Sequence, residues 1–161
     1  MELSQQISKH FRDVFFGGNW TSVNFKDTLS GISLEEAVTK IDNLNTIAAL
    51  VFHINYYVEI VLKVLRGGPL EGADKYSFEV PPLDSEAAWQ SLIRSTLDNA
   101  AAFSAEIEQL ESTVFFKDFR DAQYGNNYRN ITGIIEHTHY HLGQIVIIHK
   151  ILAGRSQRPQ D

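Results

Sequence analysis

Apolar residues recur every three or four positions along four long segments of the chain, and the residues between them are mostly polar. This spacing is typical of amphipathic helices, because about 3.6 residues per turn bring such positions onto one face. In the first segment, 3–16, the repeat ends at Gly17 and Gly18, and this glycine pair favours a helix end there. The apolar positions of this segment are Leu3, Ile7, Phe11 and Val14.

The other three segments predict helices at 33–66, 84–112 and 128–153. The second segment opens on the sequence SLEE, in which Ser33 and Glu36 have the spacing of a capping box. The fourth helix is predicted to end before Gly154, which serves as its C-terminal cap. The polar tail 155–161 is predicted to be frayed.

Four long amphipathic segments without a convincing strand pattern favour the all-α class and, within it, a four-helix bundle. The first and third connections between these helices are long. The chain of 161 residues has the usual size of one domain. We therefore expect a single domain that spans 1–161.

The composition narrows the classes of function. The chain has 20 acidic and 14 basic residues, a formal net charge of −6 and no basic block, so nucleic acid is not an expected partner. It has no cysteine, which excludes disulfides, thiolate metal sites and a cysteine nucleophile. The N-terminus lacks a signal-peptide pattern and the longest apolar run is short. These features predict a cytoplasmic protein without a membrane partner.

The sequence HTHYHLGQI, residues 137–145, places three histidines within five positions. Successive residues of a helix turn by about 100°, so His137 and His141, four apart, lie one above the other on the apolar face. His139 falls on the opposite side and is predicted to be exposed to solvent and uninvolved. His149 lies at the edge of the apolar face.

A third histidine, His53, also points inward, from the apolar sequence ALVFHINYYVEIVLKVL of the second helix. One buried histidine is usually a hydrogen-bonded core residue. Three inward histidines on two helices instead match the ligand set of a metal centre that keeps an open coordination position. Neutral imidazole suits zinc, nickel, iron or copper. His10 lies near the apolar seam of the first helix and is left out of this site.

With these two histidine-containing elements, the sequence resembles those of the DinB-like superfamily of metalloenzymes. The resemblance rests on one inward histidine in the second helix and on the motif H-x-x-x-H-x-G-Q in the last, here His137, His141, Gly143 and Gln144. It covers nearly the whole chain, including NWTSVNF and HINYYVEIVLKVLRGGPLEG. Many members carry arginine after the last histidine, where this chain has Leu142.

The resemblance implies a four-helix bundle, often dimeric, with nickel or zinc on His53, His137 and His141. A homodimer also agrees with apolar residues of the fourth helix that lie off the metal-facing side, namely Ile135, Val146 and Ile147. Characterised relatives include transferases that use a low-molecular-weight thiol such as bacillithiol, and isomerases that depend on mycothiol.

The resemblance therefore implies a small-molecule thiol and an electrophilic substrate as partners. Because the chain has no thiol of its own, the sulfur must arrive with a cosubstrate. Tyr56 or Tyr57 would orient the electrophile, with Tyr57 preferred, and Gln144 would hydrogen-bond near the metal. The alternative interpretation is that Tyr57 is a core residue. Gln144 would then pack between helices or donate a hydrogen bond to a metal-binding residue.

Two other functions remain open at this point. One is metal-assisted hydrolysis, which usually needs a carboxylate base, although Glu59 and Glu136 point away from the histidine faces. The other is a metal-binding or stress-associated bundle protein without catalytic activity, in which the metal only joins two helices.

Overall fold

The computed structural model describes residues 2–156 and, for 155 and 156, the backbone alone. Within that range it contains six α-helices and no β-strand, so the predicted all-α class is confirmed. The α-helices are α1 (Leu3–Phe16), α2 (Phe25–Leu29), α3 (Leu34–Val38), α4 (Ile47–Leu65), α5 (Glu86–Glu108) and α6 (Asn127–Ser156). Short 3-10 helices cover Asp74–Tyr76, Val114–Phe116 and Ala122–Tyr124.

The first and third predicted helices agree closely with α1 and α5. The helix α1 has the predicted bounds, and Gly17 follows it with a φ of 105°, a conformation that favours glycine. The side chain of Ser85 caps α5 by accepting a hydrogen bond from the backbone N–H of Ala88. The helix α5 ends at Glu108, before the predicted 112, and Gln109 is its C-terminal cap.

The prediction of one helix over 33–66 is wrong, because the structure divides this segment into α3 and α4. The capping box of Ser33 and Glu36 is present, but the helix that it starts ends at Val38. The backbone then leaves the helical conformation, and Asp42 adopts a positive φ of 44°. A second helix starts where the Thr46 side chain accepts a hydrogen bond from the Ala49 backbone N–H.

The fourth predicted helix is longer than expected. It begins at Asn127 and continues through Gly154 to Ser156, so the prediction that Gly154 ends it is wrong. A helix passes through glycine at a cost of about 1 kcal/mol relative to alanine. Residues 157–161 of the tail that was predicted to be frayed lie outside the described residues.

The four long helices pack in a closed order, in which α4 and α1 each contact both α5 and α6. Between them lies a cluster of buried apolar residues that includes Phe11, Phe15 and Phe103. The indole N–H of Trp89 donates to the carbonyl of Ile32 at 2.8 Å and ties α5 to the first connection. The contact between α4 and α6 places the histidine of α4 opposite those of α6.

By length and composition, α4 is the one described helix that could cross a membrane. Its most apolar window has a mean hydropathy of 1.5, so the chain does contain an apolar segment of sufficient length, contrary to the sequence-based expectation. Of that window, 56% is buried inside the protein. A core helix that contacts both α5 and α6 has the same apolar character.

Candidate metal centre

The structure brings together the three histidines singled out in the sequence. Nε2 of His53 on α4 lies 3.0 Å from Nε2 of His137 on α6. One ring nitrogen from each of these two and from His141 all lie within 4.8 Å of one another. Two zinc ligands with bonds of about 2.0–2.1 Å are separated by about 3–4 Å. The His53–His137 distance fits this range, and the full set extends slightly beyond it. The trio could hold a metal ion.

Two of the rings are oriented by a hydrogen bond on the nitrogen that faces away from the centre. Nδ1 of His53 donates to the Ser77 carbonyl at 3.3 Å, and Nδ1 of His141 donates to Oε1 of Gln144 at 2.7 Å. In a neutral ring with Nδ1 protonated, Nε2 carries a lone pair. Both lone pairs are thus available for a cation, and such outer hydrogen bonds accompany most metal-bound histidines.

His137 is the half-buried member of the trio, whereas His53 and His141 are buried. Its Nδ1 is buried and has no hydrogen-bond partner among the described residues. Nε2 of His137 is hydrogen-bonded to Nε2 of His53. The ring therefore points this nitrogen toward the other histidines.

Burial keeps two of these rings neutral. It lowers the pKa of His137 to about 4, with additional lowering from the charges of His141 and His53. Burial, followed by the charge of His141, also lowers the pKa of His53. The charge of Asp74 opposes both shifts. Because a metal binds the unprotonated imidazole, the environment favours the binding-competent form at neutral pH.

The connection after α4 contributes three residues that the sequence reasoning missed. Ser77 is fully buried and supplies the carbonyl for His53. Phe78 stacks on the His53 ring, with ring centroids 3.9 Å apart and an interplanar angle of 11°. Asp74 accepts a hydrogen bond from the Tyr57 hydroxyl. This connection has no helical period to give its side chains a direction, so only its aromatic residues offered a signal.

Tyr57 lies beside the trio, with its ring edge-on to both His53 and His137 at centroid distances of 5.0 Å. Burial and then the hydrogen bond to Asp74 raise the pKa of its hydroxyl to about 12. Tyr57 therefore stays protonated at neutral pH and cannot serve as a base there. It contacts the histidine rings and the connection at the same time.

Tyr56 has a different position from Tyr57. Its hydroxyl donates to the Ala73 carbonyl at 3.1 Å and accepts from the Ala73 N–H at 2.9 Å. Both bonds are made to the backbone of the connection after α4. Tyr56 therefore fixes this connection to the helix and leaves Tyr57 as the tyrosine that contacts the histidines.

The other histidines lie outside the trio. The prediction that His139 is exposed to solvent is wrong, because it is half-buried, and burial followed by the charge of His10 lowers its pKa. The reason is that α6 also packs against α1, so the side opposite the trio is partly covered. His10 itself is exposed. Nε2 of His149 lies 3.6 Å from the Glu36 carboxylate.

Two neighbouring clefts lie beside Tyr57, and the larger of them reaches the trio at His137. The larger, of about 410 Å³, is lined by Tyr57, Val61, Gln123, Tyr124, Arg129, Asn130, Gly133, Ile134 and His137. The smaller, of about 210 Å³, shares four of these residues and adds the apolar side chains of Ile60, Leu70 and Phe119. A small molecule in the larger cleft would touch His137.

Glu59 and Glu136 are both exposed. The carboxylate whose charge acts on two of the histidines is that of Asp74, which lies on the short 3-10 helix of the connection and not on α4 or α6. A carboxylate is therefore present near the trio, although the helical pattern could not place it.

Comparison with known proteins gives no family assignment. No protein-family model, no curated protein and no solved structure matches this chain.

Proposed function

We propose that this protein is a metal-dependent enzyme of the DinB-like superfamily that binds one nickel or zinc ion through His53, His137 and His141. The observation that carries the proposal is the convergence of three imidazole nitrogens within 4.8 Å of one another. Three neutral nitrogen ligands on two neighbouring helices suit these metals. The four long helices would form a four-helix bundle with long first and third connections.

The donor set fits a cation for a second reason. The hydrogen bond on Nδ1 of His53 leaves its Nε2 lone pair facing Nε2 of His137, and the hydrogen bond on Nδ1 of His141 leaves Nε2 as the unprotonated nitrogen of that ring. In the metal-free protein, a neutral His137 with its proton on Nε2 would donate to the unprotonated Nε2 of His53, while Nδ1 of His137 is left without a partner among the described residues. The lowered pKa of His137 and of His53 disfavours a further proton on either ring, and a bound cation would replace the shared proton and contact one nitrogen of each histidine.

The reaction that we propose is transfer of a small-molecule thiol to an electrophile. A divalent cation with an open coordination position lowers the pKa of a thiol that reaches it. The chain contains no cysteine, so no internal thiol competes for the metal. The cleft of about 410 Å³ that His137 lines has the size of a small-molecule site.

The roles of the two predicted catalytic residues follow from their contacts. Gln144 accepts the hydrogen bond of His141 Nδ1, so we assign it the role of holding that ring in register. Tyr57 lines the cleft while its hydroxyl is held by Asp74, so it would orient a bound molecule and not take its proton. Both residues would therefore hold other groups in place and would not take part in bond formation themselves.

A second candidate function is metal-assisted hydrolysis, and the position of Asp74 favours it. The Asp74 charge acts on both His53 and His137, so a carboxylate lies close to the proposed centre. A hydrolase uses such a group to take a proton from water. Asp74 is already the acceptor for Tyr57, however, and this bond competes with the role of a base.

The proposed assembly is a cytoplasmic homodimer. Ile147 on α6 is 58% exposed, and Val146 beside it is half-buried, as a dimer interface on this helix requires. Ile135, which was expected at the same interface, is instead buried within the chain.

Turnover measured on untagged, metal-loaded protein tests the proposed reaction. The assay would combine simple thiols with 1-chloro-2,4-dinitrobenzene, in which sulfur bonds to the ring carbon, chloride leaves and the thiol proton passes to solvent. Hydrolysis of a nitrophenyl ester without thiol serves as the parallel assay. We expect thiol-dependent turnover that His141→Ala abolishes and that His139→Ala retains. Ester hydrolysis alone would favour the second candidate, and neither activity would leave a non-catalytic metal-binding protein.

A further inference from the structure

The larger cleft runs along one face of α6. Arg129, Gly133 and His137 follow one another at intervals of four residues, so they lie on the same side of the helix, and all three line the cleft. The first and last of these are about 12 Å apart along the helix axis, at about 1.5 Å per residue. The cleft therefore joins a guanidinium at one end to a proposed metal ligand at the other.

The guanidinium of Arg129 has no carboxylate partner among the described residues. Acidic residues outnumber basic ones by 20 to 14 in this chain, so carboxylates are plentiful. Arginine binds carboxylate or phosphate groups through two parallel hydrogen bonds, and this geometry selects planar anions. An exposed arginine in a cleft, whose guanidinium makes no hydrogen bond or ion pair with the described residues, is suited to an anion that comes from solution.

Gly133 keeps the floor of this cleft bare. It lies in the interior of α6, where glycine costs about 1 kcal/mol relative to alanine. A Cβ at this position would meet no atom within 4 Å, so helix packing does not require glycine here. Any longer side chain would extend into the space between Arg129 and His137.

The neighbouring smaller cleft supplies an apolar wall. It shares Tyr57, Val61, Tyr124 and Asn130 with the larger cleft. Its additional apolar side chains are those of Ile60, Leu70 and Phe119. The larger cleft has Val61 and Ile134 in its own lining, so a ligand that extends along it would also pass apolar side chains.

We propose that the substrate of this site is a small organic anion whose carboxylate binds Arg129, whose apolar chain lies over Gly133 and whose reacting end reaches His137. This proposal rests on the proposed function for the identity of the reacting end. The anion contact rests only on the cleft, so it can be measured without metal.

The first experiment compares hexanoate with 1-hexanol as probes of the metal-free protein by NMR titration. These two molecules share their apolar chain and differ in charge, and each spans less than the length of the cleft. We expect hexanoate to bind about 10-fold more tightly, as one charge-assisted contact predicts. Arg129→Gln should remove this preference, whereas Arg94→Gln, at another exposed arginine without an ion pair, should retain it. Equal affinities for the two probes, or the same loss in both variants, would overturn the proposal.

The second experiment repeats the comparison on zinc-loaded protein with 6-mercaptohexanoate and 6-mercapto-1-hexanol. We expect the acid to bind more tightly by the same factor, and Gly133→Leu to weaken both ligands at least 10-fold. Gly154→Leu is the matched control, since Gly154 also lies in α6 with no atom within 4 Å of a Cβ. If zinc does not bind but the preference for hexanoate persists, the proposed function fails and the anion site stands. If zinc and both thiols bind without any preference for the acid, the anion site fails alone.

Discussion

Nε2 of His53 and Nε2 of His137 lie 3.0 Å apart, although 84 positions separate these residues in the chain. The short distance follows from the packing of α4 against α6 and from the inward phase of both side chains. It has an energetic consequence, because the buried His53 and the half-buried His137 lie too close to accept protons readily.

The hydrogen bond behind His141 should contribute to metal affinity. Gln144→Leu removes the acceptor of His141 Nδ1 and frees the ring to rotate. Loss of such an outer partner typically costs about 10–100-fold in metal affinity. We expect that loss in a competition titration with a chelating dye. Gln90→Leu, on the exposed side of α5, is the control, and an equal loss in both variants would contradict the role of Gln144.

The Phe78 ring that stacks on His53 should also contribute to metal affinity, but less than Gln144 does. Phe78→Ala removes the ring stacked on His53, and an aromatic contact of this kind is worth about 0.5–1.5 kcal/mol. We expect metal affinity to fall by up to about 10-fold. Tyr76→Ala tests the same connection, since Tyr76 is also half-exposed but contacts Lys75 and not a histidine. An unchanged affinity in Phe78→Ala would show that the stack does not orient His53.

The stability of the metal-free protein should fall between about pH 6.5 and about pH 4. In this window the His137 ring stays neutral in the folded chain, where its pKa is about 4, but takes up a proton in the unfolded chain. The unfolded state therefore binds more protons, and the free energy of unfolding decreases as the pH falls. The shifted pKa of His53 acts in the same direction.

Urea unfolding at pH 7, 5.5 and 4.5 measures this effect. We expect the difference in the free energy of unfolding between pH 7 and pH 4.5 to be smaller in His137→Gln than in the native sequence. Carboxylates affect both proteins alike, so the comparison isolates the ring. The same pH dependence in both would contradict the assignment of His137 as a neutral imidazole in the folded protein.

The hydroxyl of Tyr57 should support the connection after α4 without binding metal. Tyr57→Phe removes the hydrogen bond to Asp74 while retaining the ring contacts with the histidines. We expect a loss of about 1 kcal/mol in stability and a metal affinity within about 3-fold of the native value. A large loss of affinity would instead make the hydroxyl part of the centre.

Helical periodicity was sufficient to predict α1, the start of α5 and the histidine faces of α4 and α6. Each of these depends on residues a few positions apart, so local spacing determines them. The break at 39–46 was missed because Asp42 takes a positive φ that no hydrophobic period reveals. The polar sequence DNLN before Thr46, a good N-cap residue, was the available signal.

The partners of the histidines were harder to predict than the histidines themselves. Ser77, Phe78 and Asp74 reach the trio from a connection whose path depends on Tyr56 holding Ala73. These contacts combine residues of an irregular segment with helices on two sides. A period along one helix contains no information about them.

Metal content at equilibrium tests the central claim most directly. Untagged protein, freed of metal and then dialysed against zinc or nickel, would be analysed by mass spectrometry for the native sequence, His141→Ala and His139→Ala. We expect one ion per chain in the native protein, almost none in His141→Ala and the native content in His139→Ala, since His139 lies outside the trio. Equal metal content in the two variants would contradict it.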